Sequence, residues 1–377
     1  MGPGDRRVVP ASQLEGLIEA LRRREYAVVG PRIRDGAVVY DRLDSALDLP
    51  AGWTDRQGAG TYRLEGHEGP ATFGFRGGPD SWKRFLHPPT LTLWRARRHD
   101  SGFSFAEDPE PPPRYAFVGA RACDLAAIRL LDRVFTGGPY VDPAYRARRE
   151  AVFVVAVNCS EAGGTCFCLS MKTGPRATAG FDLALTELTG GGRHDFLVEI
   201  GSADGASVAE ELSPRAVAPE DDAEAAAGWR HAEETMGRRL DQESLRERLL
   251  GSYEAPRWDE VARRCLLCAN CTMVCPTCFC ATVEDETDLV GAATERRRVW
   301  DSCFSQEFSY IHGGSVRTSA GARYRQWITH KLATWQDQFG VSGCVGCGRC
   351  ITWCPVGIDI TAEARAVRQG DAQGSRP

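Results

Sequence analysis

Two cysteine runs constrain this chain more than anything else in it. They are Cys265–x2–Cys268–x2–Cys271–x3–Cys275–Pro276 and Cys344–x2–Cys347–x2–Cys350–x3–Cys354–Pro355. Three thiolates spaced in this way can wrap one face of a cubane while the backbone N–H groups between them point at its sulfurs. The fourth cysteine stands before a proline that redirects the chain, and it serves the other cubane. The spacing therefore assigns Cys265, Cys268, Cys271 and Cys354 to one 4Fe–4S cluster, and Cys344, Cys347, Cys350 and Cys275 to a second. Gly343, Gly346 and Gly348 read as positions that let the backbone approach the second cluster closely. Structural zinc is the rival explanation, but zinc sites show paired CxxC knuckles rather than two copies of this run.

The chain has 377 residues, of which 15 are cysteines, so seven thiols remain outside the two runs. The longest aliphatic run, 151–157, is far too short to span a bilayer, and no apolar segment follows Arg6–Arg7. A cytoplasmic protein without membrane insertion is expected. Disulfides do not persist in that compartment, which makes metal binding the leading account of so many thiols. The net charge of -5 and the lack of a basic stripe argue against nucleic acid as a partner. Arginine replaces lysine almost everywhere: Lys83, Lys172 and Lys331 are the only lysines.

Hydrophobic periodicity divides the chain into three parts. Residues 1–202 read as an α/β domain. Leu14, Leu17, Ile18 and Leu21 form a helical stripe, a strand starts at Tyr26, and a proline run at 109–113 breaks the pattern. The strand from Tyr115 ends at Gly119, a helix covers 124–135, and 151–157 is a continuous apolar strand of a sheet buried on both faces. Residues 203–258 are acidic with helical spacing from about 222 to 250, and read as a helical connector with a solvated face. Residues 259–377 hold the two runs. Their long link, which includes a helical pattern at 324–335, fits a helical dicluster ferredoxin domain better than a compact β-hairpin ferredoxin. The fold class is thus α+β multidomain, an N-terminal α/β domain followed by a C-terminal α-helical dicluster domain.

Ligands in open α/β sheets gather beyond the carboxyl ends of the strands. Cys123 and Cys159 each follow such a strand, and Cys166 and Cys168 lie in the loop after Cys159. If the two strands are parallel neighbours, these four thiols converge and can hold a third 4Fe–4S cluster; the alternative is that they are small buried hydrophobes. Cys278, Cys280 and Cys303 stay unassigned. His312 and His330 could tune a cluster, Arg296–Arg298 could dock an acidic partner, and Trp327, Trp335 and Trp353 read as core or interface residues. For the histidines and arginines a structural or solvated role is the simpler reading. Dinucleotide, Walker and HExxH patterns are absent, as is any catalytic-triad pattern.

Long non-repetitive segments carry a resemblance as well: Pro79–Lys83, Arg121–Asp124, Cys166–Cys168, Gly180–Glu187, Cys275–Cys280, Trp300–Phe304, Arg323–Trp327 and Gly343–Pro355. In these the sequence resembles the iron–sulfur beta subunit of soluble NiFe hydrogenases, or sulfhydrogenases, a family that includes the A subunit of anaerobic sulfite reductase. The resemblance implies an electron-transfer subunit without catalysis of its own. It would lie between a flavin-containing NAD(P)H diaphorase subunit and a catalytic hydrogenase or sulfite reductase module. The rival functions are a reductase subunit that binds a sulfur substrate directly and a zinc-stabilised scaffold.

Overall fold

The computed structural model describes residues 1–107 and 112–374; most of the proline run lies outside them. All five residues of strand Phe153–Val157 are buried, as a run without polar alternation requires. It is the middle of a seven-stranded sheet, in the order Arg6–Pro10, Asp195–Ile200, Leu183–Leu188, Phe153–Val157, Tyr115–Ala120, Ala27–Arg34, Ala37–Arg42. The four strands from Leu183–Leu188 to Ala27–Arg34 are mutually parallel, and the outer strands pair antiparallel.

Side chains alternate across this sheet. Phe153, Val155 and Val157 join one core with Leu14, Leu17, Ile18 and Leu21 of helix Leu14–Arg23. Val154 and Ala156 join another with Leu125, Ile128 and Leu131 of helix Ala122–Phe135. The sheet is therefore helix-covered on both faces, and its strand ends at Ala120 and Val157 lie side by side.

The acidic stretch is more than a solvated face. Helix Ala203–Glu210 adds Ala206, Val208 and Ala209 to the first core, and helix Pro219–Glu234 sets Ala225 against Leu188 and Leu197. The helical spacing then breaks until Leu245–Gly251. At the break the Arg238 N–H donates to the Cys166 carbonyl at 2.9 Å, and a Cβ on Gly237 would stand 2.2 Å from the Gly164 oxygen. A longer helix would forgo this contact with the cysteine loop.

Helices Arg257–Ala262 and Ala320–Thr329 build the C-terminal core through Trp258, Val261, Tyr324, Trp327 and Ile328. The pattern at 324–335 is helical with one wide turn, a π-helix at His330–Thr334, followed by helix Trp335–Phe339. Between the two cysteine runs, strands Ala281–Thr287 and Ala293–Trp300 pair with each other, and the second also pairs with Thr90–His99. That link accounts for the arginine run: Arg296 meets Asp285 at 2.6 Å, Arg297 meets Glu286 and Arg298 meets Asp142. All three arginines are committed to carboxylates of this chain. Among the described residues no helix is long and apolar enough to cross a membrane.

Candidate iron–sulfur centres

Twelve cysteines fall into three adjacent groups. Cys265, Cys268, Cys271 and Cys354 line one cavity, walled by Leu266, Phe304, Tyr324, Trp327, Val356 and Ile358. The chain turns between the first thiols through left-handed φ angles at Leu267 (54°) and Ala269 (63°). Such turns let successive Sγ atoms face one centre instead of opposite sides of a strand. The Ile358 N–H donates to Cys354 Sγ at 3.3 Å. Cys268 is exposed, and Leu266 beside it is 62% exposed, so this cavity opens onto an apolar rim.

Cys275, Cys344, Cys347 and Cys350 form the middle group. Burial raises the Cys350 thiol well above its ordinary value, and the sulfurs of Cys344, Cys275 and Cys347 add to the rise, with Cys271 of the first group next. Cys344 is pushed up to about 12, chiefly by burial. The Gly346 N–H donates to Cys344 Sγ at 3.4 Å.

The glycines of this run serve a neighbour not evident from the motif. A Cβ on Gly346 (φ +67°) would stand 2.6 Å from the Phe167 carbonyl, and one on Gly348 (φ +76°) 2.5 Å from the Thr165 oxygen. Gly343 is closed off by the Trp335 ring at 2.7 Å. The close approach is thus made by the Thr165–Cys168 loop and by Trp335. Phe167 N–H donates to the Gly346 carbonyl at 2.8 Å, and Thr173 Oγ1 to the Val345 carbonyl at 2.6 Å.

Cys123, Cys159, Cys166 and Cys168 line the third cavity, together with Arg76, Arg121, Arg349 and Cys347. Parallel pairing of Tyr115–Ala120 with Phe153–Val157 is what brings Cys123 beside Cys159. Around this cavity two of the three arginines are paired with carboxylates. Arg349 and Asp124, both almost wholly buried, pair at 2.9 Å, and Arg76 meets Glu161 at 2.6 Å. Arg121 donates to the carbonyls of Phe73 and Phe75 at 2.8 and 2.7 Å. Burial raises Cys166 to about 12, with the Cys159 sulfur adding to it. Cys347 belongs to the middle group yet lines this third cavity, and Cys350 likewise lines the first.

The remaining thiols lie along the flank of the middle group. The Cys278 thiol hydrogen-bonds Cys275 and, with the Lys331 ammonium, holds Cys275 well below its ordinary value despite burial. Cys280 is lowered to about 7, first by its hydrogen bond from Cys303. Lys83 Nζ donates to the Cys278 carbonyl at 3.0 Å and sits 3.8 Å from the Trp300 ring centre. His330 pairs with Gln338 at 3.2 Å rather than with a thiol. Sequence reasoning missed Lys331, Lys83, Arg349 and Asp124. The one available signal was the scarcity of lysine, since two of the three lysines are buried here.

The donor chemistry fits iron–sulfur clusters. The first and third groups each present four thiols around a cavity, and the middle group crowds four thiols together between them. The positive charge of bound metal would offset the repulsion of crowded thiolates, and backbone N–H groups donate to Cys344 and Cys354 Sγ. Among the described residues no set of His, Cys, Asp and Glu side chains closes on a single-ion position. Residues 264–358 match the 4Fe-4S dicluster domain family, so the chain is an iron–sulfur electron-transfer protein. It is also 32% identical over 293 residues, 76% of this chain and 83% of the relative, to sulfhydrogenase 2 subunit beta of Pyrococcus furiosus. The chain belongs to the sulfhydrogenase beta-subunit family. No solved structure matches it.

Proposed function

We propose that the chain conducts electrons through three 4Fe–4S clusters in a row. Their ligands would be Cys265, Cys268, Cys271 and Cys354 for the first, Cys275, Cys344, Cys347 and Cys350 for the middle one, and Cys123, Cys159, Cys166 and Cys168 for the third. At one end it would meet a flavin-containing NAD(P)H diaphorase subunit, and at the other a catalytic hydrogenase or sulfite reductase module. The relative's name, a sulfhydrogenase subunit, favours the hydrogenase arrangement.

The observation that carries this reading is the sharing of walls: Cys350 borders the first cavity and Cys347 the third, while both belong to the middle group. Bound clusters supply one-electron exchange at potentials set by charge, burial and hydrogen bonds. The protein's part is to hold the thiolates, exclude water and leave an accessible edge at Cys268. The test is iron and acid-labile sulfide per chain on anaerobically purified protein, with EPR after reduction. About twelve irons are expected, and Cys166→Ser should remove about four. About eight irons, unchanged by that substitution, would eliminate the third cluster; zinc in place of iron would eliminate electron transfer.

A further inference from the structure

Lys331 is the chain's most unusual cation. It is 5% exposed, it sits on the π-helical turn His330–Thr334, and its Nζ donates to Cys275 Sγ at 3.3 Å, Thr277 Oγ1 at 2.9 Å and the Gly343 carbonyl at 3.2 Å. Among the described residues no carboxylate lies within ion-pair distance of it. A buried ammonium is costly unless an anion compensates it. Here the compensating anion is the thiolate set of the middle group, since Thr277 and Gly343 offer only neutral oxygens.

The other two sites are built differently. The first cavity is walled by apolar and aromatic side chains and contains no cation. Two of the three arginines at the third are neutralised by Asp124 and Glu161. Among the described residues only the middle group has a buried cation donating directly to one of its sulfurs; Arg121, the third arginine of the third cavity, donates to the carbonyls of Phe73 and Phe75 instead. The wide π turn matters because it changes where side chains leave the helix, and such turns recur at functional positions.

Resting on the three-cluster reading above, we infer that Lys331 is the built-in counter-charge of the middle cluster and makes it the first of the three to accept an electron. A cubane held by four thiolates is already anionic and gains one more negative charge on reduction. A fixed ammonium at hydrogen-bond distance from one of its sulfurs therefore favours the reduced form, and the effect is strengthened by burial. Lys331 acts through Cys275 as a positioning and electrostatic residue. An electron entering at either end is thus drawn to the centre before it leaves, which separates the two partner-facing ends.

The test is an anaerobic redox titration of the cluster-loaded full chain followed by EPR, comparing wild type with Lys331→Met, Lys331→Gln and Lys331→Arg, with iron counted in each. In the neutral variants the first-reduced cluster should move to more negative potential and lose its lead, at unchanged iron content; Lys331→Arg should keep the order. An unshifted titration with full iron in both neutral variants would overturn the inference. Loss of about four irons in both neutral variants would also overturn it, by making Lys331 an assembly element. Failure of the three-cluster reading would show separately, as a low iron count in the wild type.

Discussion

Individual residues near the cysteines carry more than the motif requires. Gly346 and Gly348 combine left-handed backbone with a neighbouring backbone less than 3 Å from any added Cβ. A Gly348→Ala chain has to strain that turn and push the Thr165–Cys168 loop away. Strain alone costs about 1–3 kcal/mol. The expected result is a lower denaturation midpoint and selective loss of iron from the third group, read from iron content and EPR. The buried Arg349–Asp124 pair makes a second residue-scale prediction. Removing one member leaves a buried charge unpaired, so Arg349→Met should destabilise by about 3–5 kcal/mol. The double variant Arg349→Met/Asp124→Leu should regain much of that in chemical denaturation. Equal losses in the single and double variants would mean that the pair is not an energetic unit.

Among the elements, helix Pro219–Glu234 shows how an apparently solvated acidic stretch is tied down. Asp221 accepts from the Ala218 N–H at 2.8 Å, from Arg215 at 2.7 Å and from Arg193 at 2.5 Å. Its side chain is fully covered, and the Arg215 hydrogen bond, opposed by burial, holds its carboxyl far below the ordinary carboxylate range. A depressed carboxyl stabilises the fold above its unfolded pKa, and that contribution fades as pH falls through the folded value. Asp221→Asn should therefore be less stable than wild type at neutral pH. The difference should begin to shrink below about pH 4, as followed by thermal denaturation across pH. A difference that persists undiminished in strong acid would assign the effect to packing instead.

Across the whole molecule, the cysteine loop after strand Phe153–Val157 fastens the N-terminal sheet to the second cysteine run. Thr165 Oγ1 and Thr352 Oγ1 lie 2.7 Å apart, and Cys166 Sγ is 3.8 Å from the Cys347 carbonyl. The third group is therefore formed by the sheet but walled by the dicluster region. Loading the dicluster region should protect the backbone amides of Cys166–Thr173 in hydrogen exchange, because Phe167 and Thr173 bond directly to Gly346 and Val345. Equal exchange of this loop in cluster-free and cluster-loaded chain would show that it is held by the sheet alone.

Much of this was legible in the residues themselves. A spacing of two between thiols and a proline after the fourth are local chemical constraints, so the gathering of Cys265, Cys268, Cys271 and Cys354 around one cavity could be read from them. The all-apolar strand 151–157 likewise announced a sheet covered on both faces, whereas the meeting of Cys123 and Cys159 was conditional on the parallel pairing of their strands that the structure supplies. The purpose of Gly346 and Gly348, the π turn that aims Lys331 at Cys275, and the sharing of Cys347 and Cys350 between adjacent cavities were not legible. Each depends on which distant backbone lies within a few ångströms, and that is decided by packing between segments far apart in sequence or, for Lys331, by a local widening of the helix that no periodicity marks. The sequence by itself determined which thiols are available and in what sets; only the tertiary structure decided their order in space and the charge that each set faces, because cluster potentials respond to through-space electrostatics rather than to neighbours along the chain.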